Sequence, residues 1–334
     1  MQSDPAADRS LSRRGLVYLR WQRQRASRAA KQLAVIDLHR DVARGLYLSS
    51  WQRSGSTWLA RIITSFPKTR LVYEPSNMRQ QLYVGGEPHL VPLGPAGPGD
   101  DLGDDGIAIR RALAGTTSGS WTNPKITSRL PQRRVVKDIR TVGALPWIAD
   151  AFPVTPMIFL IRHPMAVAHS ILELGWSIDA DLLASSNIIE ADPALLERMR
   201  QRALLVEVGQ WVAHHSYALR HPASARTHVI LYEDLVRSPE AELDRLARYL
   251  KAFPAAWSSW TPDLAMIADA STTSFRRSSG TASEWIDSWS AAYSADTINE
   301  VCSLLDAAGI GAIYGADPNP LVGGSDVLAA LTTD

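Results

Sequence analysis

The chain has 334 residues, 46% of them hydrophobic and 21% charged, with a mass of 36.6 kDa and a mean hydropathy of -0.10. That is enough apolar matter for a packed core, and it excludes an intrinsically disordered chain. Lys plus Arg number 35 against 34 Asp plus Glu, net +1, so no overall field draws the protein onto nucleic acid and any anion site must be local.

The single cysteine, Cys302, excludes an internal disulfide framework and a Cys-rich zinc site, which points to a reducing compartment. No apolar run reaches the roughly 18 residues of a membrane helix, and the N-terminus lacks the apolar core of a signal peptide, so the expected location is cytoplasmic. Residues 1–44 form a basic extension in which Arg13, Arg14, Arg20, Arg23, Arg25, Arg28 and Lys31 outweigh Asp4, Asp8 and Asp37. A solvated terminal segment is the plain expectation, and a basic amphipathic helix touching a membrane surface is the alternative.

From Gly45 onward, short apolar runs alternate with helical stretches, the pattern of a central parallel sheet with crossover helices in one α/β domain spanning residues 45–315. Gly45 to Ser50 is the first expected strand, and Thr57 to Phe66 the first helix. Arg70 to Glu74, stopped by Pro75, is the second strand. Residues 85–106, rich in Gly, Pro and Asp without periodicity, are expected to be a flexible loop. Further strands are expected at Arg134 to Lys137, Met157 to Ile161 and Thr227 to Tyr232. Helices are expected over Pro193 to Leu219 and from Pro239 to Leu250, and residues 316–334 form a weakly patterned tail. The strand runs are hydrophobic throughout, as suits strands covered on both faces.

Two segments carry chemistry. Ser49 to Leu59 (SSWQRSGSTWL) sets a small polar loop between a strand and a helix, where backbone N–H groups, hydroxyls and one cation can cradle an anion. It lacks the Gly-Lys pair of a nucleotide kinase loop, and Trp58 stands where a hydrolase elbow needs its second Gly. Phe159 to Ser170 (FLIRHPMAVAHS) ends a strand in Arg162, opens a helix with Pro164 and brings Ser170 about two turns later. Arg162 and Ser170 can therefore converge on one phosphate at the sheet edge. His214 and His215 are adjacent on an expected helix and so diverge, and no H-E-x-x-H occurs, so no metal site is expected.

The segments SSWQRSGSTWLARI, IFLIRHPMAVAHSI and VILYEDLVRSPEAELDRLARYL, in this order and spacing, resemble the sulfotransferases that use 3′-phosphoadenosine 5′-phosphosulfate (PAPS). The likeness is greatest to the carbohydrate and bacterial branch, whose first loop reads R-S-G-[ST]-[ST] and is followed by a strand ending in E-P. The resemblance implies a P-loop-like sulfotransferase fold and PAPS as cosubstrate, with no metal. It implies direct transfer to a hydroxyl of a small-molecule or glycan acceptor, a saccharide, glycolipid or glycosylated metabolite.

It further implies that Arg53, Ser54, Gly55, Ser56 and Thr57 hold the 5′-phosphosulfate, with Arg53 where many cytosolic members have Lys. Trp58 would stack on the adenine. Arg162 and Ser170 would bind the 3′-phosphate, with Arg276 or Arg277 as a third contact. Glu74 matches the glutamate base of the carbohydrate-type members, with Asp138 as a second candidate, and Lys137 would be the leaving-group cation. The Tyr232 to Leu235 motif is expected to order structure behind the site. Two other classes stay open: a P-loop phosphotransferase or nucleotide hydrolase, and a non-catalytic nucleotide-binding adaptor at a membrane surface.

Overall fold

The computed structural model describes residues 35–78, 81–84, 87–119, 121–123, 128–174, 203–267 and 286–331. Five parallel strands build the central sheet: β1 (Gly45–Ser50), β2 (Thr69–Tyr73), β5 (Arg133–Asp138), β6 (Met157–Ile161) and β7 (His228–Leu231). Their order is β2-β5-β1-β6-β7, so the chain works to one side of β1 first and to the other side later. All five carboxyl ends lie on one edge, and the connections part there above β1, which is where open α/β sheets take ligands.

Alternation along the strands fills both faces. Leu46, Leu48, Leu71, Val135, Ile158, Leu160 and Ile230 pack beneath α1 (Ser56–Thr64) and α7 (Pro239–Leu250). Tyr47, Val72, Val136, Phe159, Ile161, Val229 and Leu231 pack on the opposite side with α2 (Gly103–Leu113), α4 (Pro164–Glu173) and the 18-residue α5 (Ala203–Arg220). This double covering is why the strands read as unbroken apolar runs. The remaining α-helices among the described residues are α3 (Leu145–Ala151), α6 (Tyr232–Arg237), α8 (Ala255–Ser258), α9 (Ala295–Ala307) and α10 (Val327–Ala330). Among the described residues, no helix is long and apolar enough to cross a membrane.

The stretch 85–106 departs from its expectation as a loop. It holds β4 (Glu87–Leu90), which pairs antiparallel with β3 (Gln81–Val84), and the first residues of α2. Asp104 and Asp105 sit in the first turn of α2, where acidic groups favour a helix start, and Ile109 and Leu113 bury its inner face.

Packing also extends past both ends of residues 45–315. Asp37 lies buried between two arginines, taking Nε and Nη2 of Arg134 at 3.0 Å each and Nη1 of Arg70 at 3.5 Å. Gly115 backs this clasp with φ 70°, and a Cβ there would stand 2.5 Å from an Asp37 carboxylate oxygen. At the other end, Val327 of α10 is fully buried in the core. Of the helix expected from Pro193, residues 193–202 lie outside the described residues.

Candidate active site

The loop from β1 to α1 turns on two left-handed residues, Arg53 at φ 62° and Gly55 at φ 85°. Gly55 is the N-cap of α1, and a Cβ at this position would come within 2.6 Å of the Tyr232 ring. Glycine is thus required by both backbone and space. Left-handed residues at a helix start turn successive N–H groups toward one concavity, the geometry of an anion nest. Ser54 is fully buried, and its Oγ has no hydrogen-bond partner among the described residues. A buried hydroxyl left without a partner in such a loop fits a bound oxyanion.

The end of β6 joins this loop. Arg162 Nη1 donates to the Arg53 carbonyl at 2.9 Å, and Arg53 Nε donates to Ser170 Oγ at 3.0 Å. The Arg162 guanidinium lies over the Tyr232 ring, 4.6 Å from its centroid. Burial and then the neighbouring Arg162 charge pull the Arg53 guanidinium below its ordinary value. Two crowded cations of this kind are relieved by an anion with several oxygens. Arg53, Ser54, Gly55, Arg162 and Ser170, far apart in sequence, therefore form one cluster.

His163 fixes the turn after Arg162. Its Nδ1 accepts from Met165 N at 3.2 Å, capping α4, and Nε2 lies 3.2 Å from the Gly315 carbonyl. Burial lowers its pKa to about 3. Glu233 accepts from His163 N and from the Tyr314 hydroxyl, each at 2.9 Å. Asp234 accepts from Gly324 N at 3.1 Å. The motif at 232–235 thus braces the turn from behind, and Tyr232 also underlies Arg162, a contact sequence reading missed.

A second group gathers at the ends of β2 and β5. Lys137 pairs in register with Tyr73, its ammonium forms a short ion pair with Glu74, and it stands 4.4 Å from the Tyr73 ring centroid. Burial lowers the Lys137 pKa, but the Glu74 carboxylate and Tyr73 outweigh it, and the net shift is upward. Glu74 has φ 42°, a left-handed turn that ends β2 ahead of Pro75. The Tyr73 hydroxyl hydrogen-bonds to the side chains of Glu74 and Thr57, which joins this group to the first turn of α1, and burial raises its pKa.

Two further expected residues are buried. Asp138, the second candidate base, is fully buried and accepts from Ser76 N at 3.1 Å, Ser76 Oγ at 2.5 Å and Arg140 N at 3.0 Å. Its carboxylate is occupied by structure, leaving Glu74 as the carboxylate beside Lys137. Trp58, expected to stack on adenine, is only 6% exposed and packs in the core edge-on to Tyr232 at 6.2 Å. Arg276 and Arg277 lie outside the described residues. Among the described residues, no cluster of His, Cys, Asp and Glu could hold a metal ion.

Comparison with known proteins gives the family. The model of the Sulfotransferase family matches residues 46–252, a span running from β1 past the end of α7. A search of curated proteins returns no match. Among solved structures, the sulfotransferase domain from the curacin biosynthetic pathway is similar at 17% identity and a TM-score of 0.37, covering 78% of this chain and 96% of that one. By the family match across more than half its length, the chain belongs to the sulfotransferase family.

Proposed function

We propose that the protein transfers the sulfuryl group of PAPS directly to an acceptor hydroxyl, and that the acceptor is a saccharide or a glycosylated molecule, as in the carbohydrate branch of the family. The observation that carries this reading is the Arg53–Arg162–Ser170 cluster around a left-handed loop with a buried, unpartnered Ser54 hydroxyl. These groups have the charge and hydrogen-bonding capacity for a phosphosulfate and a 3′-phosphate.

In this reading Arg53, Ser54, Gly55, Ser56 and Thr57 hold the 5′-phosphosulfate, and Arg162 with Ser170 selects the 3′-phosphate. Bound there, the donor supplies the sulfuryl group and departs as the 3′,5′-diphosphate. The acceptor oxygen forms the new S–O bond as the bond from sulfur to the 5′-phosphate oxygen breaks, and the electron pair stays on that phosphate oxygen. Glu74 takes the acceptor proton. Lys137 and Arg53 stabilise the charge that develops on the leaving oxygen, a stabilisation fixed in place before reaction. The ion pair with Lys137 holds the Glu74 carboxylate in place.

Transfer of radiolabel from ³⁵S-PAPS to a mixture of mono- and disaccharides tests the reading. Glu74→Gln should lower kcat by about 10²- to 10⁴-fold, the range of a lost general base, while adenosine 3′,5′-diphosphate binds as before. Unchanged turnover in that variant would remove Glu74 from the mechanism.

A further inference from the structure

Among the described tryptophans, Trp121 is the exposed one, at 39%, yet it is fastened. Its Nε1 donates to the Glu74 carbonyl at 3.2 Å, and its ring meets Tyr73 edge-on at 5.8 Å. The backbone around it is tied to the free edge of β2, where Tyr73 N donates to the Thr122 carbonyl at 2.9 Å. Arg70, also on β2, donates from Nε to Asn123 Oδ1 at 3.0 Å and from Nη2 to the Thr117 carbonyl at 2.5 Å. Thr122 itself is fully buried. The anchoring fixes this partly exposed indole against the Glu74 backbone.

We infer that Trp121 is the acceptor platform, stacking on the C–H face of a pyranose ring whose hydroxyl reaches Glu74. The inference rests on the reading of Glu74 as the base and adds the residue that selects the acceptor. An indole face is electron-rich and attracts C–H groups made positive by neighbouring oxygens. Trp121 is partly open to solvent and rests on the Tyr73 ring and on the backbone of Glu74, the residue whose carboxylate pairs with the Lys137 ammonium just below the surface. An amphipathic ring suits that setting: one apolar face is covered while the polar rim stays hydrated or meets the charged groups. With its N–H held by Glu74, the indole is already oriented, so little rotamer entropy is lost on binding.

The test is ¹⁹F NMR of protein labelled with 5-fluorotryptophan, the Trp121 resonance being assigned from Trp121→Phe. The protein is first saturated with adenosine 3′,5′-diphosphate and then titrated with lactose, chitobiose or methyl glucoside, and separately with 4-nitrophenol. A saccharide should shift the Trp121 resonance. Trp121→Ala should weaken that saccharide about ten- to thirty-fold, as expected for an aromatic hot spot, with diphosphate affinity unchanged, and Trp121→Phe should restore most of it. Diphosphate binding with a resonance that no saccharide moves, or that 4-nitrophenol alone moves, overturns this inference and leaves the donor reading standing. Failure of the diphosphate to bind removes the donor reading and this inference with it.

Discussion

Arg162 reaches from the end of β6 to the carbonyl of Arg53 at 2.9 Å, joining two loops 109 residues apart in the chain. The contact makes the Arg53 loop and Arg162 one mechanical unit, with Tyr232 beneath Arg162 and pressed against Gly55. Arg162→Ala should therefore weaken adenosine 3′,5′-diphosphate by about 2 kcal/mol or more, as for a lost charge-assisted contact, and AMP much less. Titration of both nucleotides against the variant checks this. Equal weakening of the two would show that Arg162 serves only the loop.

Gly55→Ala should be costly for its size. The left-handed φ adds about 1–2 kcal/mol for a residue with a Cβ, and the new methyl would push on the ring that carries Arg162. Thermal unfolding should show a lowered Tm, and diphosphate affinity should fall further than stability. A variant with unchanged affinity would mean that the loop is not the donor cradle.

Asp37→Ala tests the clasp at the opposite end of the sheet. It would leave Arg70 and Arg134 buried without their shared carboxylate, a change of about 3–5 kcal/mol for a broken buried pair. Urea denaturation should show the midpoint falling sharply. A loss below about 1 kcal/mol, the size of a surface pair, would contradict the role given to Asp37.

Acid should unfold the protein from below neutrality. Burial holds His163, His214, His215 and His228 at about 3, beneath the roughly 6.5 of an unfolded histidine. The unfolded chain thus binds more protons as pH falls, and stability present above about 6.5 is lost towards 3, by up to about 1.4 kcal/mol per pH unit for each histidine. Burial raises Asp138, Glu233 and Asp234. These carboxylates act with the opposite sign and offset part of the loss. Histidine ring resonances that stay fixed between pH 5 and 8, together with a lower urea midpoint at pH 5 than at pH 7, would bear this out. Ordinary titration of these four histidines near 6.5 would refute it.

The sheet was legible because its strands are buried on both faces, so Gly45–Ser50 and Met157–Ile161 stand out as apolar runs with no need of periodicity. The pairing of β3 with β4 had a signal in the sequence: the dipeptide Gly85-Gly86 between QLYV and EPHL is a composition that favours a hairpin. Arg53, Arg162 and Ser170 were singled out from the loop after the first strand and the segment after the fourth, and Glu74 and Lys137 from the family resemblance. The structure brings Arg53 to Arg162 and Ser170, and Glu74 to Lys137. Trp121 was not found as a site neighbour, and Tyr232 was expected behind the site but without its contact to Arg162. Their positions depend on pairing at a sheet edge and on packing between distant segments, which local pattern does not encode. Trp58 shows the same limit: apolar spacing cannot tell an aromatic that lines a cleft from one that fills a core, and here the indole is packed in the core.

Calorimetric binding of adenosine 3′,5′-diphosphate to the unmodified protein, with AMP as control, tests the central claim most directly because it requires no acceptor. The account predicts clearly tighter binding of the diphosphate, by about tenfold or more for one additional charge-assisted phosphate site. Equal affinity for the two nucleotides, or no binding by folded protein, would contradict a donor site built on Arg53, Arg162 and Ser170.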